Sequence, residues 1–440
     1  MKDAAKTHTP DRRSDQLERE AQAEVSLSQR VIAGVDAERR VLVIAPQPFY
    51  EDRGTPIAVR KLLEALSYLG YQIDLLTFPV GRSLPIPGVR YLRVPNPLRI
   101  RSVPIGFSLR KVWFDLFVFT SLKRLLRRNS YYCIHAVEES AFLAVIAARR
   151  HRTPVVYDMQ SSIPEHLAEH RLFGRKPARR LLEAAERWLL KRVHYVVSSS
   201  GLGGYVRSVS PGTRVREWRY PSPAPVASNT ELRQLRADLG LSAEQRVVLY
   251  TGNFADYQGL SILFDAAPAV LARAPNTVFV LVGANKRQST DLARELESRI
   301  AGQAYRVLLR QPREAMPAFL RLADIVVSPR THGSNIPLKA LEYLAAGCAI
   351  IATSIPAHRS VLTEKTAFLV EPDPQAFALA ITALLENPQR AAELRDAARG
   401  YAQAHLNWPS FVGSIEELLA ELRADGSAAS AGDEGQGEMR

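Results

Sequence analysis

Short apolar runs alternate with amphipathic stretches along most of this chain. Val41–Ala45 is uniformly apolar, as a strand buried on both faces must be. Ile57–Leu69 carries its apolar residues at helical spacing and runs into Gly70, a residue that ends helices. Gln72–Phe78, Tyr132–Ala136, Pro154–Tyr157 and His194–Ser198 predict further strands, separated by helices near 109–128, 140–150 and 177–192. This alternation predicts a parallel sheet covered by helices on both faces. Tyr220-Pro-Ser-Pro-Ala-Pro-Val then interrupts it, three prolines within five residues making an extended connector. Strands are expected again at Arg246–Tyr250, Val278–Val282, Arg306–Leu309, Ile325–Ser328, Ala349–Ala352 and Thr366–Val370, with helices near 259–272, 289–301, 314–321, 336–346 and 374–386. The expected fold class is therefore α/β: two Rossmann-like doubly wound domains facing each other across a cleft. The ligand site is expected at the carboxyl ends of the strands.

The same pattern sets the expected boundaries. Residues 1–38 are polar and mixed in charge and read as a disordered tail. The first domain spans 39–221, the hinge 222–230 and the second domain 231–400. A terminal helix covers 401–423, and 424–440, rich in Gly, Ser and Ala, reads as a second disordered tail. A length of 440 residues suits two domains, and a hydrophobic content of 46% supplies their cores. No run of about eighteen apolar residues occurs, so no transmembrane helix is expected. The amino terminus lacks the apolar core of a signal peptide. Cys133 and Cys348 lie in apolar runs, as buried reduced thiols do. The cytoplasm is the expected compartment.

Charge alters this picture in one half of the chain. Of the net +13, residues 41–225 contribute 29 basic and 13 acidic side chains, whereas residues 226–440 contribute 21 and 24. Such asymmetry fits a polyanionic partner or an anionic membrane surface, or else an arginine-rich exterior without a partner. Residues 98–128 hold eight basic residues and one acid, Asp115, among Trp113, Phe114, Phe117 and Phe119. That mixture suits peripheral attachment at the inner face of the cytoplasmic membrane, or a core helix with basic ends.

Chemistry is most legible in 328–353, SPRTHGSNIPLKALEYLAAGCAIIAT. A strand ends at Ser328, a polar loop runs through Arg330, Gly333, Ser334 and Asn335, and a helix opens at Ile336-Pro337-Leu338 and closes at Gly347. Free backbone N–H groups at the positive end of a helix suit a diphosphate. Lys339 in the first turn can reach a phosphate. Glu342, three residues on, can grip both hydroxyls of a ribose, or the two can form a surface pair.

This segment resembles the donor site of family 4 of the retaining glycosyltransferases, which have the GT-B fold. The family's second donor-site glutamate corresponds to Glu342, while Ser334 stands at the first. TGNFADYQG at 251–259 resembles the family's strand and turn, with Asn253 and Gln258 where the family carries Arg and Lys on the donor phosphates. Gly252 and Gly283, the latter closing Val280-Leu-Val-Gly, fit the same donor domain, and so does Leu320-Arg-Leu-Ala-Asp324. The resemblance implies that Lys339, in a Pro337-Leu338-Lys339 motif, carries the phosphate charge. It also implies that the helix begun by Trp408 crosses back to the first domain. In the first domain, Arg53, Gly54 and Thr55 precede a helix and fit a loop beside donor phosphates and acceptor, or a simple turn. Glu138, Glu139, Asp158 and Gln160 follow strands and are expected at the cleft, where carboxylates can hold acceptor hydroxyls. Glu138 and Glu139 could equally cap the next helix.

The implied reaction is transfer of a sugar from a nucleotide-diphosphate sugar to a lipid-linked or saccharide hydroxyl, with retention. Lys339, Glu342 and Ser334 are the candidate catalytic residues. No Asp-x-Asp motif or His/Cys cluster is visible, so no metal and no cofactor are expected, and no nucleic-acid partner. The altered residues Ser334, Asn253 and Gln258 leave room for a donor-binding partner without turnover. A sugar-nucleotide epimerase would need an acid after His332-Gly333, where Ser334 stands.

Overall fold

The computed structural model describes residues 39–51, 54–104, 108–164, 176–198, 201–222, 226–284, 286–300, 302–332 and 336–437. The expected tail 1–38 and the candidates Arg53, Gly333, Ser334 and Asn335 lie outside the described residues.

The first sheet has seven strands: β1 (Arg40–Ala45), β2 (Gln72–Thr77), β3 (Val89–Arg93), β4 (Cys133–Val137), β5 (Val155–Asp158), β6 (Tyr195–Ser198) and β7 (Val215–Glu217). They lie in the order β3-β2-β1-β4-β5-β6-β7, and every pairing is parallel. Its helices include α1 (Gly54–Tyr68), α2 (Leu109–Arg128) and α3 (Ser140–Ala148). The second sheet comprises β8 (Arg246–Thr251), β9 (Thr277–Ala284), β10 (Tyr305–Leu309), β11 (Ile325–Ser328), β12 (Ile350–Thr353) and β13 (Phe368–Val370). Their order is β10-β9-β8-β11-β12-β13, again parallel throughout. The helices of that domain that matter most are α4 (Leu338–Ala345) and α5 (Pro388–His405), followed by α6 (Trp408–Gly437).

Strand order reverses between β1 and β4 in one sheet and between β8 and β11 in the other. At such a switch point the connections leave on opposite faces of the sheet, and a crevice opens beyond the strand ends. The switch points thereby place the loops after β1, β4, β8 and β11 at the cleft. These loops lead into Gly54 and Thr55 at the start of α1 and contain Glu138 and Glu139, Gly252 to Gln258, and Arg330. Parallel strands covered on both faces need apolar residues on both, and Leu42, Val43 and Ile44 are all 0% exposed.

Three boundaries differ from the pattern-based reading. Ser228 forms a capping box with Glu231, so a helix occupies Asn229–Asp238 and the connector ends before 230. The helix expected over 401–423 is broken at Leu406 and Asn407, and its return to the first domain starts at Trp408. It then continues to Gly437, where a disordered tail was expected from 424. Phe411, Val412, Ile415, Leu418, Leu419 and Leu422 of α6 join the core beneath α1 and β1. Among the described residues, no helix is long and apolar enough to cross a membrane.

Candidate active site

The donor side is organised by the docking of α4 onto the end of β8. The Thr251 N–H donates to the Tyr343 hydroxyl at 3.1 Å, and the two hydroxyls lie 2.9 Å apart. Lys339 lies one turn before Tyr343 on nearly the same face, so it too meets the end of β8. Its ammonium donates to Gln258 Oε1 at 2.9 Å and sits 4.0 Å from the centre of the Tyr250 ring. Glycine is required around this cation. A methyl group at Gly252 would come within 2.8 Å of Lys339 Nζ, and one at Gly283 within 2.0 Å of the Gly252 carbonyl oxygen. Arg330 is 8% exposed and packs its guanidinium 5.2 Å from the Tyr257 ring centre. Burial, reinforced by Arg330, pushes Lys339 well below its usual pKa. Two cations are thus concentrated where an anion would relieve their mutual repulsion.

Glu342 turns away from Lys339. It lies about 60° round the helix on the other side from Tyr343 and pairs with Arg313, beyond the end of β10, at 3.3 Å. The surface Lys339–Glu342 pair admitted by their spacing is not formed. A half-exposed ion pair such as Arg313–Glu342 contributes about 0.2–1 kcal/mol, so Glu342 can exchange its partner cheaply. Asn253 faces its own turn: its Oδ1 accepts from the Ala255 N–H at 3.3 Å and its amide donates to the Tyr257 hydroxyl at 3.4 Å. His358 lies behind this loop, with Nδ1 2.8 Å from the Thr353 carbonyl oxygen and Nε2 2.8 Å from the Ser328 hydroxyl. Burial draws its pKa down to about 4, so it is a neutral brace.

Across the cleft, α1 begins at Gly54, where an added methyl group would lie 3.8 Å from Leu338 Cδ1. The starts of α1 and α4 therefore adjoin, with Thr55 next along α1. On the acceptor side Glu138 adopts φ 54°, an uncommon conformation for a residue with a Cβ, at the point where β4 gives way to α3. Glu138 accepts from the Ser161 hydroxyl at 3.2 Å, and Glu139 pairs with Lys111 at 3.3 Å. Neither forms a side-chain cap on α3. Burial, with Glu139 adding, raises the Glu138 carboxyl to about 8. Asp158 does not face the cleft as expected. It is 0% exposed, lies 3.1 Å from His135 Nε2, and accepts from the Gln160 amide. Its effect is to aim Gln160, whose amide also donates to the Tyr220 hydroxyl at 3.0 Å. His135 is itself a core residue, stacked on Trp218 at 5.8 Å.

Sequence reasoning missed Tyr250 and Arg313. Both occupy the carboxyl end of a strand or the turn after it, the signal that singled out Glu138 and Arg330.

Comparison with known proteins agrees with this geometry. Residues 53–202 match the "Glycosyl transferase 4-like domain" and residues 245–387 match "Glycosyl transferases group 1". A phosphatidyl-myo-inositol mannosyltransferase of Mycolicibacterium smegmatis is 24% identical over 354 residues, covering 80% of this chain and 86% of the relative. A D-inositol 3-phosphate glycosyltransferase of Thermobispora bispora is 28% identical over 229 residues, covering 49% of this chain and 50% of the relative. Among solved structures, sucrose-phosphate synthase from Thermosynechococcus elongatus superposes with a TM-score of 0.69 at 23% identity, covering 88% of this chain and 100% of that one. Anabaena HepE in complex with UDP and glucose superposes with a TM-score of 0.65 at 18% identity, covering 86% and 99%. Two parallel sheets, a cleft at their switch points and both domain matches make this chain a glycosyltransferase of GT-B architecture, with a glycosyl transferase 4-like amino-terminal domain and a group 1 carboxy-terminal domain.

Proposed function

We propose that the enzyme transfers a sugar from a nucleotide-diphosphate sugar to a hydroxyl of a lipid-linked or polysaccharide-precursor acceptor, with retention and without a metal. The observation that carries this reading is the placement of Lys339. The resemblance leads one to expect a phosphate-binding lysine at 258, where this chain has glutamine. Lys339 brings its ammonium to that same glutamine from another element. With Arg330 and the amino-terminal end of α4, it forms a positive centre for the leaving diphosphate. Glu342 would take the ribose hydroxyls in exchange for Arg313. In the transfer, the bond from the anomeric carbon to the phosphate oxygen breaks as the acceptor oxygen bonds to that carbon on the same face. The acceptor proton passes to the leaving phosphate oxygen. No protein base is needed, and the protein contributes charge and position.

A lipid-linked acceptor is favoured by the surface beside Glu139. Leu109, Val112, Trp113 and Leu116 of α2 and Ile146 of α3 are 80%, 51%, 37%, 56% and 47% exposed. They line a groove of about 540 Å³. Arg99, Arg101 and Arg110 are exposed near the start of α2, and Arg127 and Arg128 are exposed at its far end. The phosphatidyl-myo-inositol mannosyltransferase named above is in keeping with such an acceptor.

Titration calorimetry on a panel of nucleotide sugars, with excess chelator throughout, tests the donor site. Glu342→Ala and Lys339→Met should each lower affinity for the preferred donor tenfold or more, since a hydrogen bond to a charged group contributes about 1.5–3 kcal/mol. Unchanged affinity in folded variants would remove the assignment. Binding that chelation abolishes and magnesium restores would overturn its metal-free part. Slow hydrolysis of the bound donor separates an enzyme from a partner that binds without turnover.

A further inference from the structure

A cavity of about 780 Å³ opens at the hinge end of the cleft, between α1 and the carboxyl ends of α4 and α5. It lies beyond Glu342 from Lys339, and Arg313, the partner of Glu342, stands between it and the donor site. Its walls carry four cations: Arg60 and Lys61 from the first domain, Arg313 and Arg399 from the second. Tyr50 and Trp408 add two aromatic rings, and among the described lining residues Glu64 is the only acid. Arg60 pairs with Glu64 at 2.6 Å, Arg313 with Glu342 at 3.3 Å, and Arg399 with Asp396. Lys61 pairs with no carboxylate among the described residues. Its ammonium donates to the Pro221 carbonyl in the interdomain connector and lies 6.0 Å from the centre of the Tyr220 ring.

We propose that this cavity is a second binding site, for a small phosphorylated molecule that bridges the two domains at the connector. The Lys61 ammonium is half-buried, and the two carboxylates that face it, Glu64 and Glu342, are already paired with Arg60 and Arg313, so it lacks a counter-charge of its own among the described residues to compensate its desolvation. A phosphate supplies that charge and accepts several hydrogen bonds from lysine and arginine together. The volume suits a metabolite the size of a sugar phosphate, and the two rings offer apolar faces for its carbon skeleton. The electrostatics agree. The charged groups facing Lys61 are Arg60 and Glu64 on its own helix, Arg313 beyond β10 and Glu342 on α4. Burial, then Arg313, lowers Lys61 to about 8. Because the cations come from both domains, a bound anion favours whichever domain arrangement brings them together, in proportion to its concentration over its dissociation constant.

Calorimetric titration of the full chain with inorganic pyrophosphate at low salt tests this independently of the donor reading. Two sites are expected in the unmodified protein. Lys339→Met should remove the donor site and leave the hinge site. Lys61→Met should weaken the hinge site at least tenfold and spare the donor site. Ser222→Asp, on the same wall with Lys61 intact, should do likewise by adding a negative charge. Near pH 8 the hinge site should take up about half a proton per anion bound, measured from heats in two buffers, and Lys61→Met should abolish the uptake. A single pyrophosphate site, lost in Lys339→Met, would overturn the proposal. So would a second site indifferent to both Lys61→Met and Ser222→Asp. A hinge site that persists when Lys339→Met changes nothing would count against the donor assignment alone.

Discussion

Glu138 combines features that an ordinary strand-end carboxylate lacks. Its backbone is left-handed, its side chain is held by Ser161, and burial raises it to about 8. An acid raised above its usual range keeps its proton through neutral pH and loses it as pH climbs through the folded value. At pH 7 it is therefore a hydrogen-bond donor as well as an acceptor, suited to hold an acceptor hydroxyl beside Glu139. Glu138→Gln preserves a neutral donor and should keep transfer at pH 7 within roughly fivefold, the worth of about 1 kcal/mol. It should also abolish the alkaline fall in activity centred near pH 8 that the unmodified enzyme is expected to show. Rate profiles from pH 6 to 9.5 decide the matter. An unchanged alkaline limb in the glutamine variant would assign that limb to another group.

Among the elements, α2 presents two apolar faces. Phe114, Val118, Leu122 and Leu126, spaced four apart, are buried against the sheet. Leu109, Val112, Trp113 and Leu116 form a second face, at the amino-terminal end, that stays exposed among the described residues. The core-helix and membrane-surface readings of 98–128 are therefore compatible, because they use different sides of one helix. Asp115 lies between them. Burial raises it to about 7, and its Oδ1 has no hydrogen-bond partner among the described residues. An acid that neutralises readily opposes an anionic surface less than an ordinary aspartate would. Sedimentation with anionic vesicles should show binding at low salt that weakens as salt rises. Each basic residue near the surface adds about 1 kcal/mol, so Arg127→Glu with Arg128→Glu should reduce binding more than tenfold. Leu116→Glu should reduce it at any salt concentration, because it removes apolar contact. No pelleting at low ionic strength would make a soluble acceptor the better reading.

At the scale of the whole molecule, α6 ties the carboxyl terminus to the first domain. Phe411 is the centre of that contact, its ring 5.9 Å from Trp218, 5.5 Å from Tyr220 and 6.0 Å from Trp408. Tyr220 in turn meets Gln160 on the acceptor side and Lys61 at the hinge cavity. Removing the Phe411 ring leaves a cavity among large side chains, and Phe411→Ala should cost about 3–5 kcal/mol. Denaturant melting followed by tryptophan fluorescence measures it. The loss should appear in the first domain, whose core the helix completes, although residue 411 follows the second domain in the chain. An unchanged first-domain transition, where Trp113, Trp188 and Trp218 report, would contradict the packing described.

The two α/β domains and the loops at the cleft were legible in the chain alone. Apolar runs and helical spacing are local properties, and a strand buried on both faces must be apolar wherever it lies. The edge strands Val89–Arg93 and Val215–Glu217 escaped this reading because half-exposed strands tolerate arginine and glutamate. Motif spacing singled out Lys339 and Glu342 but set them on one face. Tertiary structure separated them: Tyr343 locks the register of α4 on β8, which sends Lys339 to Gln258 and Glu342 to Arg313. Asp158 looked like a cleft residue by position and became a buried support for Gln160, because its environment comes from β4 and the connector. That Lys61 forms no ion pair among the described residues could not be read from the chain at all. Whether a cation has a counter-charge depends on what the other domain places opposite it, and that is settled only when both sheets are folded and facing each other.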